Sequence, residues 1–370
     1  MFSGVRAEMS LGETYRAFMK KVRDRLPIER GNYPYVTARV KAKKALLLPK
    51  DTYVKLLQMS IPQIARFLGE GQYREEMLAL GTRYSGVDLL EMATRNNLAK
   101  VFTQIIEFSE SGLREMIARF LDRWDVWNIK TILRGKFCGA TEQEIVEDII
   151  PAGSLSKEFL EELVTLEKIG DIVEALEGTI YGLVLIGLPA SLGDIRSLAT
   201  YEDILDKVYY EYLLEAVPPT PEPSRLFHNF VRMEIDVINV KTLLRVRGIE
   251  EILERQIFIR QGLYLTQDEL KEMVSMEMPA LLERLSKAPF HSALAQYLAE
   301  AEPRLDLGIR SIEKWLLNQA AKGANLHPLS ILPVLDYIIA KTKEVENIRI
   351  VARGKASGLN TDLIKEMLVI

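Results

Sequence analysis

The sequence predicts an all-α protein, and hydrophobic periodicity is the main reason. Apolar residues recur at three- and four-residue spacing in segments 113–134, 224–247, 266–286 and 334–353. The strict apolar and polar alternation of half-buried strands is almost absent. We therefore expect long packed helices and no sheet of consequence.

Helix start and stop signals support this prediction. Ser224 follows a proline-rich stretch and is a candidate N-cap, and Thr266 stands three residues before Glu269, as in a capping box. Glycine is common just after a helix ends. The candidate stop positions on this rule are Gly135, Gly248 and Gly354.

Length and composition indicate several globular domains. The 370 residues exceed what one compact core holds, while 48% hydrophobic and 27% charged residues are typical of a folded chain. The single cysteine, Cys138, cannot form an internal disulfide, and no CxxC or CxxH pair is present. The first twenty residues include Arg6, Glu8 and Glu13 and so do not form the apolar core of a signal peptide.

Charge is distributed unevenly along the chain. Residues 1–50 carry 12 basic against 4 acidic side chains, a net of +8, and residues 141–222 carry 18 acidic against 4 basic ones, a net of −14. A solvated helical surface is the plain interpretation of the basic block, and a nucleic-acid or membrane contact is the alternative. If the two blocks face partners, electrostatic attraction should speed assembly at low salt.

Motifs for catalysis are missing from the sequence. There is no GxxxxGK[ST] phosphate loop, no complete dinucleotide-binding glycine pattern, no HExxH and no GxSxG, and the histidines at 228, 291 and 327 are isolated. We therefore expect a protein that is not an enzyme and that uses no cofactor, metal or small-molecule substrate.

An internal repeat is the most informative feature. Three segments align without a gap: DVWNIKTILRGK at 125–136, DVINVKTLLRVR at 236–247 and EVENIRIVARGK at 344–355. Each carries an acid, an Asn, a Lys or Arg two residues after the Asn, and an Arg four residues further on. These positions are Asp125, Asn128, Lys130 and Arg134; Asp236, Asn239, Lys241 and Arg245; and Glu344, Asn347, Arg349 and Arg353. The Asn spacing is that of a small domain and not of a solenoid unit.

A fourth, degenerate copy lies in YPYVTARVKAKK at 33–44. Thr37, Arg39 and Lys43 occupy the places of the Asn, the first base and the Arg, and Pro34 replaces the acid. Together the copies predict an extension at 1–32 and helical domains at 33–111, 112–222 and 223–370. The last of these includes the C-terminal copy, which could pack back on the first domain.

Helical geometry assigns roles to the repeated positions. At 100 degrees per residue, Asp125 and Asn128 lie on the apolar side of their helix, whereas Lys130 and Arg134 lie one turn apart on its flank. Buried acids and amides must be hydrogen-bonded, which favours an internal polar lock over a binding site. For the basic flank, a solvated face and a partner contact both remain open.

The chain resembles a known family at these residues. The early YVTARVKAKKALLL and the recurring N-[IV]-[KR]-x-x-x-R on long helices are similar to the C subunit of the archaeal and bacterial A/V-type ATP synthase, and to the d subunit of the eukaryotic vacuolar enzyme. The resemblance runs from about Tyr33 to the C-terminus. Two departures are Thr37, where the family usually has Asn, and the extra residues 1–32.

The resemblance implies a non-catalytic, all-helical rotor component. Its three similar domains would form a funnel with pseudo-threefold arrangement on the cytoplasmic face of the cell membrane, peripheral and not spanning it. Its partners would be the central-stalk subunits and the proteolipid ring, and its role would be to transmit torque during ATP synthesis driven by H+ or Na+. A helical scaffold or nucleic-acid adaptor unrelated to the rotary enzyme is the alternative.

Overall fold

The computed structural model describes residues 31–186, 188, 195–248, 257–300 and 302–370. The predicted extension at 1–32 therefore lies, up to residue 30, outside the described residues. The described part of the chain consists of helices and turns with no strand, which confirms the all-α prediction. None of its helices is long and apolar enough to cross a membrane.

The helices fall into four groups along the chain. The N-terminal group is α1 (Tyr33–Lys44), α2 (Lys50–Gln58), α3 (Ile61–Gly69), α4 (Arg74–Leu80) and α5 (Gly86–Glu107). The second is α6 (Ser111–Leu121), α7 (Arg123–Cys138), α8 (Glu142–Asp148), α9 (Lys157–Thr165), α10 (Ile169–Ala175), α11 (Ile180–Leu185) and α12 (Ile195–Ala216). The third is α13 (Glu222–Val246), α14 (Gln267–Val274), α15 (Met278–Arg284), α16 (His291–Leu298) and α17 (Leu305–Leu326). The C-terminal group is α18 (Leu332–Ala356) and α19 (Thr361–Met367).

The structure confirms some of the predicted helix starts and stops and contradicts others. The capping box of Thr266 and Glu269 is confirmed, and Gly248 follows α13 with φ +81°. Ser224 as an N-cap is wrong. Helix α13 begins two residues earlier with Pro221 at the N-cap position, and Ser224 is buried.

Gly135 and Gly354 as stop positions are also wrong, because both lie inside helices. A Cβ on Gly135 would stand 2.4 Å from Cγ1 of Ile145, and one on Gly354 would stand 2.7 Å from Cγ1 of Ile364. Glycine at this repeated position lets the next short helix, α8 or α19, pack directly against the motif helix. The left-handed residues that end α7 and follow α18 are Gly139 and Gly358.

Each complete motif copy lies on a helix that packs against a 22-residue helix. Helix α7 packs on α12, α13 packs on α17, and α18 packs on α5. In the first two pairs the 22-residue helix follows the motif helix in sequence, whereas α5 precedes α18 by more than two hundred residues. The third pair is therefore assembled from the two ends of the described chain.

Contacts between these helices close into a cycle. Helix α5 contacts α6, α6 contacts α7, and the pairs α7·α12 and α13·α17 are joined by α12 and α13. Helix α17 then contacts α18, which returns to α5. A separate hydrophobic cluster unites α2 to α5 with the C-terminal part, including Tyr53, Leu56, Ile348, Val351 and Ile364. The C-terminal motif copy thus packs against the N-terminal helices.

Candidate interface site around the repeated motif

The three Asn side chains make the same pair of hydrogen bonds. Nδ2 of Asn128 donates to the carbonyl of Ile150 at 2.8 Å, and the Ile150 N–H donates back to Oδ1 at 2.8 Å. Asn239 forms the equivalent pair with Ile259, at 2.8 and 2.8 Å, and Asn347 with Val369, at 2.9 and 3.0 Å. We call these three units the amide locks.

The amide locks are interior structures. Asn128, Asn239 and Asn347 are 0%, 1% and 2% exposed. Each lock holds the segment after its motif helix against that helix by pairing with one backbone N–H and one backbone carbonyl of that segment. The Ile150 carbonyl also accepts from the Ala152 N–H at 2.8 Å. Their predicted burial and pairing are confirmed.

The acids of the first two copies bind the same segments that the amide locks hold, which follow the motif helices. Asp125 accepts hydrogen bonds from the backbone N–H groups of Ser154, at 2.9 Å, and Leu155, at 3.1 Å. Asp236 accepts from the N–H groups of Leu263, Tyr264 and Leu265 at 2.8, 2.8 and 3.2 Å. Each carboxylate therefore holds a second part of the same segment, a few residues beyond the residue that the Asn binds.

Glycine makes room for these two acids. A Cβ on Gly153 would lie 2.1 Å from Oδ1 of Asp125, and one on Gly262 would lie 2.2 Å from Oδ1 of Asp236. Neither glycine is identified by the motif alone, although each follows its Asp in the same order within the repeat. Extending the repeat alignment beyond the motif helix would have identified both glycines.

Electrostatics differ between the two carboxylate sites. Burial raises the pKa of Asp125 to about 8, and the nearby carboxylate of Asp122 adds to this shift. Burial raises the pKa of Asp236 to about 6, while its three backbone donors oppose the shift. Met233 stands in the second copy where the first has Asp122, so the second copy lacks the like-charged neighbour.

Glu344, the acid of the third copy, reaches distant parts of the chain. It accepts hydrogen bonds from the Leu48 N–H, from Nε2 of Gln72 at 2.8 Å and from the hydroxyl of Tyr73. Nζ of Lys341, 0% exposed, pairs with the same carboxylate at 3.0 Å. The third acid is therefore buried and paired like the first two, but its longer Glu side chain binds the N-terminal helices instead of the segment that follows its own motif helix.

The basic flank contacts carboxylates of the 22-residue helices. Lys130 pairs with Asp206 at 2.5 Å, and Nη2 of Arg134 lies 2.8 Å from Glu202. The side chain of Lys130 is 15% exposed and is mostly covered by its own chain, whereas that of Arg134 is 51% exposed and reaches solvent. The intramolecular carboxylates supply the countercharge that holds the motif helix on α12.

The second and third copies vary this arrangement. Lys241 pairs with Glu313 of α17, and Arg245 is exposed. Arg349 and Arg353 both approach one carboxylate, Glu91 of α5, which is 6% exposed. The three flanks are therefore alike in position and different in charge balance.

The degenerate copy on α1 also makes internal contacts. The Thr37 hydroxyl donates to the Pro328 carbonyl at 2.9 Å, and Nζ of Lys43 donates to Oε1 of Gln104 at 2.8 Å. The guanidinium of Arg39 lies 4.5 Å from the ring centroid of Phe108. Thr37 thus uses its one donor to reach the turn between α17 and α18, which differs from the paired bonds of an Asn.

One ion pair between repeat copies was not predicted. Arg123 and Glu234 hold the same position in the first and second copies, and they pair with each other at 2.7 and 3.0 Å. The Arg123 guanidinium also stacks 3.6 Å from the ring centroid of Phe120. Opposite charges at equivalent positions could not be recognised as partners without the relative placement of the two helices.

The described residues give no indication of metal chemistry. Within the described ranges, no group of three or more His, Cys, Asp or Glu side chains is placed to hold a metal ion.

Comparison with known proteins identifies relatives along almost the whole chain. Residues 36–367 match the family model described as ATP synthase (C/AC39) subunit. The chain is 38% identical over 343 residues to the C subunit of the A-type ATP synthase of Methanococcoides burtonii, covering 92% of this chain and 94% of the relative. The protein of the same name from Methanosarcina acetivorans is 36% identical over 343 residues (92% and 93%), and that from Haloferax volcanii is 34% identical over 342 residues (92% and 98%).

Proposed function

Because the chain belongs to the ATP synthase (C/AC39) subunit family, we propose that it links the central stalk to the proteolipid ring and transmits torque between them. As a member of the rotary ATP synthase it is a non-catalytic structural component. Its proposed place is peripheral, on the cytoplasmic face of the membrane-bound complex.

The closed cycle of helices is the observation that supports this role. A coupling element must resist twisting, and the three motif helices are each held by a buried amide lock and by ion pairs to a neighbouring helix. Buried paired polar groups fix one arrangement of packed helices. We infer that the helix pairs form three similar domains in pseudo-threefold, funnel-like arrangement, the third combining N-terminal and C-terminal helices.

The alternative of a nucleic-acid adaptor depends on the basic start of the chain. In the described part of that block, Lys44 pairs with Asp336 at 2.6 Å, Lys43 donates to Gln104, and Arg39 stacks on Phe108. These cations have internal partners, which favours the rotor role over a phosphate-binding surface.

Affinity purification of the tagged chain from detergent-solubilised membranes tests the proposal. Recovery of central-stalk and ring subunits is expected, together with loss of coupled ATP synthesis in cells lacking the chain. Recovery of neither set, or normal coupled synthesis without the chain, would contradict the proposed role.

Charge predicts how assembly proceeds. The acidic block at 141–222 includes exposed side chains on α8 to α10, such as Glu142, Glu158 and Asp171, and we expect it to face a basic surface of a partner. Added salt, which shortens the screening length to about 8 Å at physiological strength, should slow association more than it changes dissociation. Association rates that do not vary with salt would reject this steering.

A further inference from the structure

A groove between α18 and α19 distinguishes the third motif copy. Its volume is about 390 Å³, and its lining combines the guanidinium groups of Arg349 and Arg353 with the apolar side chains of Ile350, Leu359 and Met367. Leu359 is 40% exposed. An open groove with this lining presents apolar surface directly beside positive charge.

The repeat itself does not require apolar residues here. Aligned on the amide locks, the first copy has Thr131, Ala140 and Asp148 where the third has Ile350, Leu359 and Met367. The first lock forms with the same hydrogen bonds despite those smaller or polar residues. The amide lock therefore does not require the apolar lining of the third groove. Ile350 also packs against the C-terminal hydrophobic cluster, whereas Leu359 and Met367 do not belong to that cluster.

Charge balance also separates the two copies. In the first copy, two bases, Lys130 and Arg134, face two acids, Asp206 and Glu202, and the charges cancel.

In the third copy, three arginines converge on one buried carboxylate. Nη2 of Arg353 lies 2.8 Å from Glu91, Nη2 of Arg95 lies 3.4 Å from it, and Nε of Arg349 lies 3.5 Å from it. Arg95 also pairs with Asp148 of α8 at 2.6 Å, so three guanidinium groups share two directly paired carboxylates, and the charge of Asp88 also acts on Arg353. The acid in the groove lining, Glu346, pairs with Lys343 at 2.6 Å.

Burial and neighbouring arginines disfavour the charged form of Arg349. Burial lowers the pKa of its guanidinium from the ordinary value, and the charges of Arg95 and Arg353 lower it further, while Glu91 and Asp148 oppose them. The pKa of Arg353 is instead raised, mainly by its hydrogen bond to Glu91. An added carboxylate at the groove would relieve this repulsion. The side chains of Arg349 and Arg353 are 34% and 55% exposed, which leaves them accessible.

We propose that the groove between α18 and α19 binds a segment of a neighbouring synthase subunit in which a carboxylate stands beside an aliphatic side chain. The carboxylate would pair with Arg349 and Arg353, and the aliphatic group would cover Ile350 and Leu359. This inference rests on the proposed function, because it requires a place within the complex.

Site-specific photocross-linking in the assembled complex tests the inference. A photoreactive phenylalanine replaces Leu359 in the full chain, and the matched control carries it at the equivalent position of the first copy, Ala140. Irradiation of the purified complex followed by mass spectrometry should show a product at 359 and none at 140. The attached peptide should contain Asp or Glu next to Leu, Ile or Val.

Charge variants give a second measurement. Arg349→Gln should reduce the yield at 359 roughly tenfold, a factor within reach of one charged hydrogen bond. Lys130→Gln, the equivalent change in the first copy, should leave the yield unchanged. Thermal melts of both variants show whether the chain remains folded, and Arg353→Gln replaces Arg349→Gln if it does not.

Failure of the groove inference and failure of the proposed function would give different results. A peptide without an acid, a lipid adduct, no product at 359 in an intact complex, or equal yields with Arg349→Gln would each overturn the inference. Purification of the chain without any other synthase subunit would instead contradict the proposed function.

Discussion

The first two motif copies and the third solve the same packing problem with different parts of the chain. In the first two, the acid and the Asn both bind a segment that follows within about thirty residues, as the pairs Asp125 with Leu155 and Asp236 with Leu265 show. In the third, Asn347 binds the nearby Val369, whereas Glu344 binds Tyr73, 271 residues away.

This difference shows how a chain of repeats becomes a closed cycle. In the part of the chain that the structure describes, no 22-residue helix follows the motif helix of the third copy. The chain instead supplies that partner, α5, from its N-terminal part. The fully buried pair of Lys341 and Glu344 then joins the C-terminal motif helix to the segment around Leu48 and Tyr73.

The largest expected effect comes from breaking this junction. Glu344→Gln would leave the Lys341 ammonium buried without a countercharge, and we expect it to lower the free energy of unfolding by about 3 kcal/mol. Chemical denaturation measures the loss. Glu70→Gln removes an exposed carboxylate that pairs with Arg66 at 3.3 Å, and it should leave the midpoint unchanged. Equal effects of the two changes would contradict the role given to the buried pair.

Replacing the Asn of each amide lock should have a smaller effect that is similar in all three copies. Asn128→Leu, Asn239→Leu and Asn347→Leu each leave one buried N–H unpaired, and the last two also remove the hydrogen bond to a buried carbonyl, whereas the Ile150 carbonyl keeps its bond from the Ala152 N–H. The expected cost is about 2 kcal/mol. Denaturant titrations of the three variants test this equivalence. A variant that weakens assembly while keeping wild-type stability would instead assign its Asn to an interface.

The glycines beside the acids should be sensitive in the first two copies. Gly153→Ala or Gly262→Ala would push a Cβ against the carboxylate of Asp125 or Asp236 and displace the returning segment, at a cost of about 1 kcal/mol. Gly71→Ala is the matched control, because its nearest contact would be an ordinary 3.6 Å. Thermal melts that rank Gly71→Ala as the most damaging of the three would refute the close approach.

The smallest effect is a difference in pH dependence between the first and second copies. Both carboxyls have a native pKa above the ordinary value of about 4, so the stability that they contribute is greatest below that pH and is lost as the pH rises through the native pKa. The loss should end near pH 6 for Asp236 and continue to about pH 8 for Asp125.

Hydrogen exchange can separate these two ranges. Between about pH 6 and pH 8, after correction for intrinsic rates, the amides of Ser154 and Leu155 should lose protection while those of Leu263 to Leu265 stay constant. Asp122→Asn removes the like charge that helps to raise the pKa of Asp125 and should reduce the change. Parallel loss of protection in both segments would contradict the difference.

Much of this architecture could be predicted from local sequence. The all-α class follows from apolar periodicity, and the burial of Asn128 and Asn239 follows from their angular position on the motif helices. The repeat register also located the basic flank. These features depend on residues within one helix, where spacing alone determines which side chains share a face.

The remaining features depend on contacts between distant segments. The pairing of Glu344 with Tyr73 and that of Arg123 with Glu234 require the relative placement of helices that no spacing rule supplies. The internal positions of Gly135 and Gly354 depend on close approach by Ile145 and Ile364 from the next helix. A glycine rule based on helix ends could not distinguish that packing role from a stop signal.

Hydrogen–deuterium exchange of Glu344→Gln tests most directly the claim that the third copy closes the cycle. Faster exchange is expected around Leu48 and in α3 and α4, near Gln72 and Tyr73, with unchanged protection of the first and second amide locks. Faster exchange confined to α18, with the segment from Leu48 to Tyr73 as protected as in the unmodified chain, would contradict it.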